Sequence, residues 1–499
     1  MHKPYIIGID IGTGSTKAVS IDLDGNVLNV SQCSYPTLNP EPGYSEQNPH
    51  DIWQGFQTCI CETVRRLGYD PATISLSSAM HSFIPVAADG QPLHNMITWA
   101  DARSESIADN LRQSENAEEI YKTSGTPIHA MSPLCKLLWF KTNNTEIYTK
   151  ACKFISIKEY VWHRLFRRFE VDYGIASATG LFDIIKLDWS SIILDYAGIS
   201  ADRLSQPVNT GFFREIEDPE ILNKLGLTQR VRIVAGSSDG CCANLGSAVN
   251  DGHKAALTIG TSAAVRTTSS APVYDFSAMT FNYLLDEKTF VCGGPLNNGG
   301  IAIDWAISRF LNKEELDKTD YDNFFEQVEK TPAGANGLIF LPYLTGERAP
   351  VWDTAITANF IGVQLQHRQA HFFRAVLEGV CMAINQVLLS VEKATTPVKQ
   401  LNISGGFLHA PVWMQVLANV TGKKLVVVQP DDASAIGAAI LAARVLHPEA
   451  NLQEKLSAET QEILPDNNQY EVYQKLQPVY NSLYANLKTA MHTLKAINL

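Results

Sequence analysis

Long runs of like charge are missing from this 499-residue sequence, and so is a basic excess: Lys and Arg total 40 against 52 Asp and Glu, a formal charge of −12. A surface that grips nucleic acid carries a lysine- and arginine-rich face, so that class of partner is excluded. Cysteine is scarce, nine residues between Cys33 and Cys381. The tightest pairs, Cys59/Cys61 and Cys241/Cys242, form neither a zinc quartet nor a C-x-x-C redox pair, so reduced, mostly buried thiols of a cytoplasmic protein are expected. No segment reads as long and apolar enough to span a bilayer, which predicts no membrane partner. The run Tyr5-Ile6-Ile7-Gly8-Ile9-Asp10 closes on an acidic residue with no cleavage-like site after it. It therefore reads as a first buried strand rather than a signal peptide. Low-complexity tracts are absent. So are the common phosphate-binding strings, G-x-x-x-x-G-K-[ST] and a G-x-G-x-x-G that follows a strand.

What is present begins with length, which favours roughly two to four domains. Apolar residues make up 45% and charged residues 18%, in the ordinary range for a folded protein. An internal echo organises the chain. Ile6 to Asp22 is an apolar β-type run, a Gly12-Thr13-Gly14 turn and a second β-type run; Ala255 to Thr267 repeats the pattern around Gly260-Thr261. Two related domains, each opening with a hairpin, are expected over residues 1–249 and 250–499, the second closing with a C-terminal helix. The polar stretch Asn250-Asp251-Gly252 suits a linker. Strands are read at 74–80 and 401–404, helices at 134–141, 156–164, 371–391 and 435–445. The 371–391 helix is expected to be amphipathic, with Phe372, Val376, Leu377, Val380, Ile384 and Leu388 on one face. A further helical pattern from Tyr473 to Leu494 is expected to bend or restart at Pro478. Strands alternating with helices indicate an α/β protein.

Three segments carry chemistry. The Gly12-Thr13-Gly14-Ser15 turn offers backbone N–H groups and hydroxyls with little bulk, as a polyphosphate requires. Lys17 adds charge, and Asp10 suits a magnesium ion held through water. Alone, the segment is equally a plain glycine-rich hairpin. The second copy, at Gly260-Thr261, together with Gly405-Gly406 at a strand end, makes a nucleotide cleft the better reading. Asp239, after the apolar strand Val231 to Ala235, supplies the carboxylate that phosphoryl transfer to an alcohol uses as a base; a self-bonded turn aspartate is the plain alternative.

Two longer strings settle the choice. Met131-Ser132-Pro133-Leu134-Cys135-Lys136-Leu137-Leu138-Trp139-Phe140-Lys141-Thr142-Asn143 is one. Ala358-Asn359-Phe360-Ile361-Gly362-Val363, continuing through His371-Phe372 to Ala375-Val376-Leu377-Glu378, is the other. With them the chain resembles the FGGY carbohydrate kinase family from about Tyr5 to Val445. The resemblance implies two actin-like (ribonuclease H-like) ATPase domains with ATP, Mg²⁺ and a sugar in the cleft between them. It implies phosphate contacts at Asp10, Gly12, Thr13, Gly260 and Thr261, with Gly14, Ser15 and Lys17 beside them. Asp239 becomes the base, Gly300 and Asp304 line the nucleotide site, and Gly405, Gly406 and Ala410 border the adenosine. The substrate side is implied at Met80, His81, Trp99, Asp101, Arg103, Met131 and Asp239. A homodimer follows from family habit.

The strings Met80-His81-Ser82 and Ile97-Thr98-Trp99-Ala100-Asp101, with Arg103-Ser104, look most like the gluconate-phosphorylating members. The segment Leu341-Pro342-Tyr343-Leu344-Thr345-Gly346-Glu347-Arg348-Ala349-Pro350 fits them and the xylulose-phosphorylating members alike. D-gluconate is therefore expected ahead of D-xylulose. Its carboxylate calls for a cation, which Arg103 or His81 could supply, Arg103 being equally open to pairing with a carboxylate of its own domain. A catalytically silent sugar sensor is opposed by the intact Asp10, Thr13, Asp239 and Thr261. An actin-class ATPase without an acceptor is opposed by the substrate segments.

Overall fold

The first hairpin forms as β1 (Tyr5–Ile11) and β2 (Ser15–Asp22), paired from Tyr5↔Asp22 to Ile11↔Thr16. It belongs to a computed structural model that describes residues 3–249, 251–393, 395–428, 432–456 and 459–497; Asn250 of the expected linker lies outside the described residues. All of β1 except Asp10 is fully buried, as a near-continuous apolar strand covered on both faces should be. β3 (Val27–Ser34) extends the antiparallel side. β4 (Thr73–Ser78) runs parallel to β1, and β5 (Phe213–Glu215) and β6 (Arg232–Ser238) complete a six-stranded sheet in the order β5-β6-β4-β1-β2-β3.

The second half repeats the plan. β7 (Lys254–Ile259) and β8 (Ala263–Ser269) form the second hairpin, followed by β9 (Phe281–Asp286), β10 (Thr289–Leu296), β11 (Gln400–Ser404), β12 (Lys424–Val428) and β13 (Glu459–Ile463). Their order is β9-β10-β8-β7-β11-β12-β13. As β1 lies between antiparallel β2 and parallel β4, so β7 lies between antiparallel β8 and parallel β11. The internal echo is thus a repeat of topology, and the α/β reading holds.

Five helices matter for the site. α1 (Pro133–Asn143) starts at Ser132, whose hydroxyl accepts from the Cys135 N–H. α2 (Asp239–Gly246) follows β6, and α3 (Gln369–Glu392), α4 (Ala433–Leu446) and α5 (Asn467–Ile497) lie in the second half. α2 and α4 exchange partners: α4 packs on β1 and β4 of the first sheet, α2 on β8, β9 and β10 of the second. They cross at van der Waals limits. A Cβ added to Gly8 would stand 1.8 Å from the Ala435 carbonyl oxygen, one on Gly437 1.9 Å from that of Cys242, and one on Gly246 2.1 Å from that of Ala433. The small-residue pattern of 435–445 is therefore a packing requirement.

Three expectations are corrected. α3 is not one-faced, because almost every residue from Phe373 to Leu388 is buried. It is also long and apolar enough to cross a membrane, contrary to the reading that no segment is; 83% of its apolar window is buried within the protein, which makes it the core helix of the second half. Pro478 does not restart the helix, because α5 runs unbroken from Asn467 to Ile497. Anchors on both sides hold the helix across the proline: Tyr473 donates to Glu378 (2.7 Å), Gln477 Nε2 to the Met382 carbonyl (3.2 Å) and Tyr480 to the Gly379 carbonyl (3.2 Å). The nine cysteines are free and six are buried, as expected.

Substituting Gly8 by alanine should force α4 off β1. We expect a loss of at least about 3 kcal/mol in chemical denaturation, beyond the usual cost of overpacking because the obstacle is backbone. Unchanged stability would show that the helix yields freely.

Candidate active site

Both hairpin turns and the start of α2 face one cleft, which holds three cavities. The second sits over β1: about 310 Å³, lined by Asp10, Gly12, Gly14, Ser15 and Lys17 from the first hairpin, Asp239 and Gly240 from α2, Thr258 and Arg266 from the second hairpin, and Ser404, Gly405 and Asp432–Ala435. Gly12 N–H closes the turn on the Ser15 carbonyl (3.0 Å), and Gly260 N–H does the same on Ser262 (2.9 Å). A Cβ on Gly14, Gly260 or Gly406 would meet nothing within 4 Å. These glycines leave open backbone for a ligand to approach.

Charge in this cavity is unbalanced. Asp10 accepts from the Ser77 hydroxyl (2.8 Å), yet burial, reinforced by the nearby Asp239 charge, pushes its carboxyl up to about 7. Asp239 is raised by burial as well, against the pull of Arg266 and of the Gly240 N–H, which donates to it at 2.7 Å. Lys17 is paired with Asp432 of the second half at 2.8 Å. Two buried carboxylates beside each other favour a cation between them. Among the described residues no group of three or more His, Cys, Asp or Glu forms a metal cage.

The first cavity, about 320 Å³, shares Asp239, Thr258 and Arg266 with the second and adds Met80, His81, Trp99, Met131, Gly260, Phe281, Tyr283 and Arg348 among its walls. His81 takes a positive φ of 64°. Its Nδ1 lies 2.8 Å from the Ala178 carbonyl and must carry the proton, so Nε2 accepts from the Tyr283 hydroxyl at 3.2 Å. Burial, with Lys136 behind it, lowers its pKa to about 3, so the ring is neutral. Lys136 of α1 is fully buried, and its Nζ donates to the His81 and Thr98 carbonyls at the base of two wall segments. Arg348 donates through Nε to Asn297 (2.7 Å) and through Nη2 to the Leu296 carbonyl (3.1 Å), and lies 5.2 Å from the Trp99 ring. Burial lowers its pKa only to about 10, leaving it cationic at neutral pH. Trp99 Nε1 donates to the Thr13 hydroxyl (2.9 Å), joining this wall to the first hairpin tip.

The third cavity, about 820 Å³, lies between Gly260-Thr261, Gly300, Ile303, Asp304, Tyr321, Phe325, Gly406, Phe407, Ala410 and Trp413. Tyr321 donates to Asp304 at 2.7 Å. Apolar rings with a few polar edges suit a planar heterocycle.

The structure gathers most of the residues singled out in the sequence into these walls. It does not bring Asp101 or Arg103 there, and both expectations are corrected. Asp101 accepts Nε and Nη2 of Arg103 (2.8 Å each) and the Ser45 N–H (2.6 Å). Arg103 also pairs with Glu46 (2.6 Å) and lies 3.9 Å from the Tyr44 ring centroid, its side chain 1% exposed. Internal pairing consumes both charges. His81 does line the cavity but supplies no charge. Sequence reasoning missed Arg266, Arg348, Tyr283 and Lys136. A signal was available for the first: Arg266 is the one charged residue in a hairpin strand of otherwise small, uncharged residues.

Comparisons with known proteins fit this geometry. The family description "FGGY family of carbohydrate kinases, N-terminal domain" matches residues 5–246, and the corresponding C-terminal domain matches residues 255–446. The chain is 40% identical to the gluconokinase of Bacillus subtilis (strain 168), over 88% of this chain and 86% of that one. Among solved structures, gluconate kinase from Lactobacillus acidophilus is similar with a TM-score of 0.93 at 32% identity, covering 99% of this chain and 100% of that one. Xylulose kinase from the same organism gives a TM-score of 0.93 at 32% identity, covering 98% and 100%.

Asp10 yields a test in the ligand-free protein. An unfolded aspartate ionises near ~4, whereas folded Asp10 does so at about 7. The fold therefore holds the proton more tightly, and stability falls as pH rises between those values. Asp10→Asn should raise Tm by an amount that grows from about pH 4 to about pH 7 and then levels off, at ~2–6 °C. Differential scanning calorimetry across that range checks it; a pH-independent difference would contradict the shifted carboxyl.

Proposed function

The chain belongs to the FGGY family of carbohydrate kinases, and we propose that it transfers the terminal phosphoryl group of ATP to D-gluconate, giving 6-phospho-D-gluconate. The observation that carries the choice of acceptor is charge: the first cavity presents two guanidinium groups, Arg266 and Arg348, against the single carboxylate of Asp239. A neutral pentulose gives the second arginine no counter-charge, whereas an aldonate does. Relatives named gluconokinase or gluconate kinase support the same reading.

In this reading Asp239 stands where the two cavities meet and accepts the proton of the terminal hydroxyl. Arg348 lines the first cavity alone, so it faces the carboxylate at the other end of the acceptor. Met80, Met131, Trp99 and the neutral His81–Tyr283 pair shape the wall between. The Gly12–Ser15 and Gly260–Thr261 turns cradle the phosphates, and the third cavity takes the adenosine between Gly406, Ala410 and the rings of Phe407 and Trp413. The open glycine backbone and the paired carboxylates fit ATP and a magnesium ion. Mg²⁺ neutralises phosphate charge when bound, and Asp10 is the residue that would hold it, through water. Exclusion of water from the cleft favours the sugar hydroxyl over hydrolysis. Free thiols fit a cytoplasmic setting, and the boundary between residues 249 and 250 is proposed as the division between the two domains.

An ADP-release assay with D-gluconate, D-xylulose, L-ribulose and glycerol should show a gluconate preference of about a hundredfold in kcat/KM, or roughly 2.7 kcal/mol. A xylulose preference would keep the mechanism and overturn the acceptor. Asp239→Asn should lower kcat by ~10²–10⁴-fold while calorimetric gluconate affinity stays within a few fold. Arg348→Met should raise the gluconate KM by ~10–100-fold, the range for a hydrogen bond between charged groups; an unchanged KM would remove Arg348 from the carboxylate.

A further inference from the structure

Arg266 is placed unlike the other cations of the cleft. On β8 it stands opposite Ala256 of β7 and Gly293 of β10. Those small partners give the long side chain room to leave the sheet and reach the seam between the first and second cavities, both of which it lines. There it meets the N-terminal end of α2, where a Cβ on Gly240 would stand 3.4 Å from Arg266 Nε. Lys17 is paired with Asp432, Lys136 with two carbonyls, and Arg348 with Asn297 and Leu296. The Arg266 guanidinium makes no hydrogen bond or salt bridge to any described residue, and the nearby acid that favours its charge is Asp239. A guanidinium left without partners beside a helix N-terminus is a binding position for an anion.

On the kinase reading, the seam is where the phosphorus passes. We propose that Arg266 is a catalytic residue of the transfer, its guanidinium binding the oxygens of the phosphoryl group in flight between nucleotide and acceptor. In that step the bond from the β–γ bridging oxygen to the γ-phosphorus breaks and ADP leaves with its electron pair. The bond from the acceptor oxygen to the same phosphorus forms, and the acceptor proton passes to Asp239. Negative charge on the equatorial oxygens is present throughout, and Arg266 meets it from the second domain while Asp239 acts from the first.

The test uses Arg266→Met and Arg266→Lys with whichever acceptor the wild type phosphorylates, so that a wrong acceptor assignment does not disturb it. Folding is checked by the melting temperature and by ADP affinity. The expected result for Arg266→Met is a kcat lower by ~10³-fold or more, with KM for acceptor and ATP each within about fivefold, and a smaller loss for Arg266→Lys. Added guanidinium ion should restore part of the Arg266→Met rate. Tight binding of ADP with aluminium fluoride and acceptor, a mimic of the transferring group, should be lost in Arg266→Met while ADP alone still binds. A near-normal kcat with an acceptor KM raised a hundredfold would overturn the proposal and give Arg266 to the acceptor carboxylate. A kcat within tenfold of wild type, or undiminished binding of the ADP–aluminium fluoride mimic, would overturn it as well.

Discussion

Backbone meeting backbone at three glycines is the contact on which the rest of this molecule depends. Gly437 against Cys242 and Gly246 against Ala433 let α2 and α4 cross with no side chain between them, and Gly8 against Ala435 seats α4 directly on β1. Each helix follows a strand of one half and packs on the sheet of the other, so the halves are joined by interlocked helices as well as by the chain. The crossing places the start of α2, with Asp239, beside the end of β1, with Asp10. The three cavities open around that point because both hairpin turns project toward it. A fold whose helices stood at ordinary separation would move Asp239 away from the two hairpin turns.

That proximity has an electrostatic cost. Asp239 adds to the burial that raises the proton affinity of Asp10, the Arg266 side chain stands without a hydrogen-bond or ion-pair partner among the described residues, and Lys17–Asp432 is a closed pair. The cleft is a set of charges awaiting complements of both signs, a cation for the carboxylates and anionic oxygens for the guanidinium. Away from the cleft, buried cations are paired with carboxylates: Arg374 bonds Glu378 and Tyr473, and Arg103 bonds Asp101 and Glu46. The contrast between closed networks in the frame and open charges in the cleft separates structural from functional ion pairs here.

Much of this was legible in the sequence because the pattern is local. An apolar run, a Gly-Thr turn and a second apolar run specify a hairpin wherever they occur, and their recurrence gives the repeat. Glycine strings and the carboxylate after Val231–Ala235 mark the nucleotide side for the same reason. The acceptor side was less legible because its decisive residues come from distant segments. Arg348 reaches the first cavity from the second half, and Tyr283 meets His81 across 202 positions. Arg103 misled because sequence does not reveal that Glu46, Tyr44 and Asp101 enclose it. Pro478 misled because its helix is held by side chains on either flank, a tertiary effect that outweighs local propensity.

Lys136 draws out a last consequence. Its ammonium group grips main-chain carbonyls of His81 and Thr98, not their side chains. A brace of that kind is indifferent to which amino acids occupy the segments it holds. Met80 on the cavity wall can therefore be exchanged without loosening that brace, whereas His81 is also fixed by its positive φ and Trp99 by its bond to Thr13, so the wall can change on a fixed frame at selected positions. Similarity of this chain both to a gluconate kinase and to a xylulose kinase, at equal identity and equal TM-score, is what divergence along that route would leave behind.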